Sequence, residues 1–446
     1  MTDLKNLIGK IGDFEVIVDD STAVSFVGAF AEENGRMILY GRTTLEYSRL
    51  FDKMKPYRVV GVVDSSDITM MSAYILFSYR YAPDETFVTL KADASEILVG
   101  RQIKDDGRIR VASTCLPEII WFFHDRLFES SVDFSRESPS LLEYCFPDDI
   151  SVCDDYGTLT ISRIMQHSFD HSSEKYTSIP TLQYRFNTPV SLSTARSQIA
   201  KARNLFLYFA DGYIPLHDIE LADERTSTEY YPDYCDFKML SNFRGDEKPI
   251  NEPFFVTSDI AKADMQAIWD KWNELYSHKF ISALYYEIVC NRSTRINRFL
   301  NFSQAIDLFE TTYRDAEVRL LAPRKKAESP HLPLSFYIKD SLLQLKDVLS
   351  IRDEDIDCIS INISDARNYF THYNDAEYRE PSLPEIFAMS RVLHLVFLGL
   401  VYKQLGIPDK YILEAKACRE YAVFERDISV ILRKPIDNVD YTNLFG

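Results

Sequence analysis

The apolar residues of this chain change their rhythm part-way along. Up to about residue 240 they fall in short, strand-length runs, and from about residue 258 they recur every third or fourth position. A strand buries one face at period two and a helix at about period 3.6, so the two rhythms demand two different architectures. We therefore expect an α+β multidomain protein. Residues 1–240 form a β-rich domain, an antiparallel sandwich or a barrel-like fold, residues 241–257 a linker, and residues 258–446 a helical bundle.

In the first region, Phe14–Val18, Ala23–Ala31, Met37–Tyr40, Val59–Val63, Phe87–Leu90 and Leu159–Ile161 read as strands bounded by polar residues or Gly. Helical inserts are predicted near 117–128 and 191–209, the latter from Ala195, Ile199, Ala202 and Phe206. In the second region, Thr257 or Ser258 can cap a first helix carrying Met265, Ile268, Trp272, Leu275 and Lys279. Phe299, Phe302, Ile306, Phe309, Tyr313 and Ala316 mark a second helix, and Leu334, Ile338, Leu342, Leu345 and Leu349 a third. A short fourth is expected to start at Ser364 or Asp365, a fifth to run from Ile386 to Leu405 before Gly406 and Pro408, and a sixth from Tyr411 to Leu432. Short links between long amphipathic helices imply an antiparallel bundle.

Charge limits the choice of partners. The net charge is −18, but residues 1–240 hold 24 Lys and Arg against 37 Asp and Glu, while residues 241–446 hold 26 against 31. Non-specific binding along a polyanion is disfavoured by such a balance, so any nucleic-acid contact must be local. Seven cysteines without a CxxC pair argue against a disulfide framework or a zinc ribbon. The opening MTDLKNLIGK lacks an apolar signal-like run, and Val392–Tyr402 is about half the length a bilayer requires. These features lead us to expect a reduced, cytoplasmic protein with no membrane contact. Phosphate-binding GxxxxGK[ST], GxGxxG and GxSxG patterns do not occur.

The densest chemistry lies in Arg367-Asn368-Tyr369-Phe370-Thr371-His372. A guanidinium can hold a phosphate through paired N–H donors, and an imidazole can move a proton near neutral pH. On a helix, Asn368 and His372 share a face. The plain alternative is a helix start with an exposed Arg and a His satisfied by its neighbours. Arg292, Arg295 and Arg298, together with Arg324, Lys325 and Lys326, are the best candidate phosphate contacts, although such a run is more often a solvated helix face. His167 and His171 could ligate a metal only if their segment were helical, and a loop is the simpler reading, so no metal or other cofactor is expected. His124 reads as a buried structural residue in an aromatic run, and Asp353, Glu354, Asp355 and Asp357 as a solvated loop.

Arg367, Asn368 and, after three further residues, His372 resemble the signature of the HEPN superfamily (higher eukaryotes and prokaryotes nucleotide-binding) over roughly residues 258–432. Joined to a β-rich N-terminal domain of this length, the arrangement resembles the ApeA-type phage-defence proteins, in which a sensing domain precedes a HEPN ribonuclease. The resemblance implies metal-independent RNA cleavage, plausibly in a tRNA anticodon loop, with 2′,3′-cyclic phosphate products. In it His372 would be the acid or base, Arg367 the phosphate clamp and Asn368 the orienting residue. It also implies a homodimer with the site at its two-fold axis. The acidity of residues 1–240, which can mask the basic patches, leads us to expect that the N-terminal domain restrains the nuclease until it meets a phage component. Relatives often carry an acidic residue on such a helix as the one that bears Glu310, although an i,i+4 pair with Arg314 explains that residue more simply. Two rival functions remain: a non-catalytic HEPN dimer scaffold with a ligand-binding β domain, and a metal-dependent hydrolase built on His167 and His171.

Overall fold

Phe14 and Val16 point inward from the first long strand while Asp13 is exposed and Glu15 flanks it, and this alternation repeats around a closed ring. The ring is visible in a computed structural model that describes all residues except 1–3, 20, 35, 53, 79–86, 101–107, 124–127, 133–139, 145–147, 171–172, 224–236, 242–249, 283–293, 324–327, 329–331, 373–377 and 434–446. Strands β1 (Ile11–Ile17), β2 (Ala23–Glu33), β3 (Arg36–Thr44), β4 (Tyr57–Val63), β5 (Ser66–Ser78) and β6 (Phe87–Asp93) are all antiparallel, with the short helix α1 (Leu45–Ser48) after β3. They pair in the order β4-β1-β2-β3-β6, and β5 joins both β4 and β6, which closes a six-stranded barrel. Gly61 and Gly41 let the Phe14 and Phe26 rings lie against the barrel wall. A Cβ on Gly61 would sit 2.3 Å from the Phe14 ring, and one on Gly41 2.2 Å from the Phe26 ring.

The sheet continues beyond the barrel through β7 (Glu96–Val99), β8 (Ile109–Cys115), β11 (Ile150–Cys153), β12 (Gly157–Asp170), β13 (Ser173–Val190), β14 (Ile219–Asp223) and β15 (Phe237–Ser241). Strands β9 (Phe128–Val132) and β10 (Ser140–Tyr144) form a separate hairpin. Each expected strand overlaps an observed one, and of their residues Val18 alone lies outside, one position past β1. Near 117–128 the predicted helix is only a 3₁₀ segment, Pro117–Phe122, whereas α2 (Leu192–Ala210) is a full helix with Ala195, Ile199, Ala202 and Phe206 buried. His167 lies on β12, so its segment is a strand rather than a helix or loop. His171 and His124 fall outside the described residues.

Among the described residues, the helices that follow are α3 (Ser258–Leu275), α4 (Arg295–Tyr313), α5 (Asp315–Leu321), α6 (Leu334–Leu349), α7 (Asp353–His372), α8 (Leu383–Leu405), α9 (Asp409–Ala417) and α10 (Phe424–Ile431). By contacts the chain divides into two units. One comprises residues 1–120, 125–203 and 214–249, the other residues 121–124, 204–213 and 250–446. Within the second unit, α8 is the central helix and packs on α3, α4, α6, α9 and α10. It is long and apolar enough to cross a membrane, but 89% of its most apolar stretch is buried inside the fold. Its start is fixed by a capping box between Ser382 and Glu385, and its end by Gly406 in the left-handed region at φ 79°. The predicted single helix 411–432 is broken. After α9, Arg419 adopts φ 53° and a 3₁₀ turn, Arg419–Val423, leads into α10.

Candidate active site

Helix α7 carries the motif at its C-terminal end, not at its start. The helix begins at Asp353, and Ser364 is a buried interior residue instead of a cap. Asp353, Glu354 and Asp355 form its first turn, where carboxylates face the positive end of the helix dipole. That role explains why an acidic run can open a helix as well as decorate a loop. Ile356, Ile359, Ile363, Ala366 and Tyr369 form the buried stripe. Burial of that stripe leaves Arg367 and Asn368 on its flank, half-buried, and His372 exposed as the last helical residue. The Arg367 Nη1 donates to Asn368 Oδ1 at 3.3 Å, and the Thr371 hydroxyl donates to the Arg367 carbonyl at 2.8 Å. Phe370 meets Phe299 of α4 edge-on at 6.3 Å between ring centres, which ties the motif turn to the bundle.

Arg367 and Asn368 open onto a cleft of about 490 Å³ whose other walls include Thr311 of α4, Asp315 and Arg319 of α5, and Tyr337 of α6. On that wall Arg319 Nε donates to Asp315 Oδ2 at 2.7 Å and the Tyr337 hydroxyl donates to Asp315 Oδ1 at 3.2 Å. Nothing local in the sequence connects these residues to Arg367. The spacing of Asp315 and Arg319 as an i,i+4 pair was the one available signal.

Glu310, the neighbour in sequence of the cleft residue Thr311, is fully buried. It is not chiefly the helical partner of Arg314. Arg314 Nε binds Asp340 at 2.6 Å and stays 3.9 Å from Glu310. Glu310 instead accepts from the Ser341 hydroxyl at 2.5 Å and from Gln344 at 2.9 Å, and the same Gln344 amide donates to Asp340 at 2.9 Å. Burial, reinforced by the Asp340 charge and opposed by the Ser341 hydrogen bond, pushes the Glu310 carboxyl up to about 8. Burial thus favours its neutral form.

The basic candidates divide. Arg295 is exposed, with its guanidinium 3.3 Å from the centre of the Phe387 ring. Arg298 is committed internally: it pairs with Glu420 and lies 2.6 Å from His394 Nδ1. His394 in turn stacks on Phe302 at 4.5 Å and lies 2.9 Å from Asp211. A guanidinium spent in this way stabilises the bundle and offers little to a substrate. Arg292, Arg324, Lys325 and Lys326 fall outside the described residues. Among the described residues, no three His, Cys, Asp or Glu side chains are grouped so as to hold a metal ion.

Comparison with known families places this geometry. Residues 19–272 match the ApeA N-terminal domain 1, and residues 300–411 match the Apea-like HEPN domain. The chain belongs to the ApeA-type HEPN proteins. Its domains are those of a defence-type HEPN protein, and HEPN domains are in general ribonucleases. The HEPN match starts within α4 and ends within α9, so it contains Glu310, the cleft residues and the Arg367, Asn368, His372 turn. Arg295, Arg298 and Glu420 lie outside it. The N-terminal match extends into α3, past the division at Pro249 and Ile250 that the contacts mark. No curated protein and no solved structure matches the chain.

Proposed function

We propose that this ApeA-type protein is an abortive-infection endoribonuclease whose HEPN domain cuts RNA without a metal. One observation carries the reading: Arg367 and Asn368 line a cleft of nucleotide size, and His372 stands one turn further along the same helix. In the proposed reaction an imidazole takes the proton of a ribose 2′-OH, and that oxygen attacks the adjacent phosphorus. The P–O5′ bond breaks, a second imidazole protonates the departing oxygen, and the products are a 2′,3′-cyclic phosphate and a 5′-hydroxyl. Arg367 stabilises the charge that gathers on the phosphoryl oxygens, and Asn368 orients the reacting groups. Each motif supplies one imidazole and the reaction uses two, which favours a homodimer with both motifs at one site. Exposure of His372 at a helix end supports that arrangement.

The substrate is a flexible loop of the kind found in a tRNA anticodon arm, since in-line attack needs a ribose free of helical stacking. Arg295, with Arg292, Lys325 and Lys326, would steer flanking phosphates. The β-rich domain would sense a phage component and release the nuclease.

The test is RNA integrity and cell growth during phage challenge with Arg367→Ala and His372→Ala. Each is expected to lower cleavage at least about 100-fold while the protein stays folded, and cleavage by the parent should persist in chelator. Undiminished cleavage by either variant, or its loss in chelator, would overturn the reading.

A further inference from the structure

The division between the two units falls inside α2: residues up to Arg203 count with the first, and Asn204–Tyr213 with the helical second. The helix runs through this point without a break, so a shift of its first part is carried into its last two turns. We infer that the end of α2, held by Asp211, is the control input of the HEPN bundle, an inference that rests on the ribonuclease reading. Seated in the bundle it keeps the nuclease quiet, and its withdrawal releases cleavage. Asp211 lies within the stretch matched by the N-terminal domain, whereas Phe302 and His394 lie within the HEPN match. All three belong to the one helical unit.

The last carbonyls of a helix have no partner within it, and here the bundle supplies them. The Tyr402 hydroxyl donates to the Tyr208 carbonyl at 2.7 Å, and Arg419 Nη1 donates to the carbonyls of Ala210 and Asp211. Asp211 follows the helix in the left-handed region at φ 46°, and Arg419 stands at φ 53°, so both are strained. Glycine, which adopts that conformation freely, comes one position later, at 212. The carboxylate gives a reason for Asp at 211. Its side chain is 5% exposed, with one oxygen 2.9 Å from His394 Nε2 and the other accepting from the Tyr421 hydroxyl at 2.6 Å. Strain and buried charge held together mark an element that can be unseated. The same network reaches the motif. His394 of α8 stacks on Phe302 of α4, and Arg298 of α4 lies 2.6 Å from His394 Nδ1. Phe299, the residue after Arg298, meets Phe370 of the motif turn. Loss of Asp211 leaves His394 without its carboxylate, lets α4 shift on α8, and moves the ring on which the motif leans.

The experiment uses the purified full chain, no phage component, and a short RNA hairpin with a single-stranded loop. Asp211→Asn keeps the shape and removes the charge, and is expected to raise cleavage about 5- to 150-fold over the parent, the range usual for coupling between sites. Arg419→Ala, which strips the carbonyls of Ala210 and Asp211 of their donor, should raise it too. Adding His372→Ala to either should abolish the gain. Arg391→Ala controls for mere loss of stability, since it loosens α8 from α10 at Asp427 and leaves the α2 end alone; it should release nothing. Melting shows which variants fold, and one that does not is replaced by Tyr402→Phe, which removes the hydroxyl bound to Tyr208. Two folded variants no faster than the parent overturn the inference, as does release by one and not the other, or equal release by Arg391→Ala. Failure of the ribonuclease reading looks different: phage-challenged cells would then show no RNA cleavage that depends on His372.

Discussion

The barrel interior is lined by Phe14, Val16, Leu39, Ile68 and Leu90, and the buried polar side chains of its described residues are the hydroxyls of Thr43, Ser48 and Thr69. The helical bundle buries Glu310, Asp340, His394 and Asp427 at comparable depth. In the barrel, hydrogen bonding is settled by the strand ladders, and the side chains need only alternate. In the bundle each buried carboxylate requires its own donor: Asp427 has Arg391, Asp340 has Arg314, and Glu310 has Ser341 and Gln344. Helices leave their side chains as the only means of fixing one helix against another, and paired charges fix that relation more sharply than oil does. Burying charge is expensive, so this is also the region whose stability should respond to pH and to the loss of single partners.

The strongest way to break the comparison is to orphan a buried charge. Arg391 Nε donates to Asp427 at 2.6 Å, and Asp427 is 2% exposed. Arg391→Ala should destabilise the bundle by about 3 kcal/mol or more, and the double change Arg391→Met with Asp427→Leu should recover most of that. In the barrel, Phe14→Ala should cost about 3–5 kcal/mol, with no second-site polar rescue available. Hydrogen exchange resolved to α8 and to β1 would read the two regions separately. If Arg391→Ala is harmless, the bundle does not depend on its charge pairs.

Glu310 gives the next effect. Its carboxyl ionises near 4.5 in the unfolded chain and is pushed up to about 8 in the fold. Between those values the folded state keeps a proton that the unfolded state releases, so the contribution of Glu310 to stability is fully present below about pH 4.5 and is lost as pH rises through about 8. Each unit is worth about 1.4 kcal/mol, and the loss across the window is on the order of a few kcal/mol. Glu310→Gln keeps the shape and removes the proton, so its difference from the parent should shrink this slope. Denaturant midpoints for both proteins from pH 5 to pH 9 test this, and parallel curves would show that Glu310 is ionised throughout.

How far the sequence reveals the structure follows the same divide. Strands such as Phe14–Val18 were legible because alternation is local. Strand β5 was not, because Ser72 sits at φ 51° and interrupts the alternation where β5 turns from β4 toward β6. The motif turn was legible as residues but not as a place. Its helix starts at Asp353 because acidic residues suit a first turn, and the Asp315, Arg319 and Tyr337 wall is brought to it only by packing. Arg298 looked like part of a charged face, since nothing local shows that Glu420, 122 residues away, neutralises it. Tertiary pairing over such distances leaves no periodic trace.

The smallest prediction compares how each region turns its chain. The barrel joins β4 to β5 through the two residues Asp64 and Ser65, at φ 47° and 65°, between the paired positions Val63 and Ser66. The bundle ends α6 at Ser350 with φ 57°, yet ends α8 at Gly406 with φ 79°. A side chain in the left-handed region costs about 1 kcal/mol, which glycine avoids. Ser65→Gly and Ser350→Gly should each therefore stabilise their own region by up to about 1 kcal/mol, partly offset by the greater freedom of glycine in the unfolded chain. The hairpin should gain more, because a two-residue connection between twisted strands favours glycine at its second position, whereas Ser350 is followed at once by buried Ile351, which already holds the helix end. Melting of the two variants, read separately in each region, gives the ranking, and a larger gain at Ser350 would show that packing around the helix end does not compensate for its backbone.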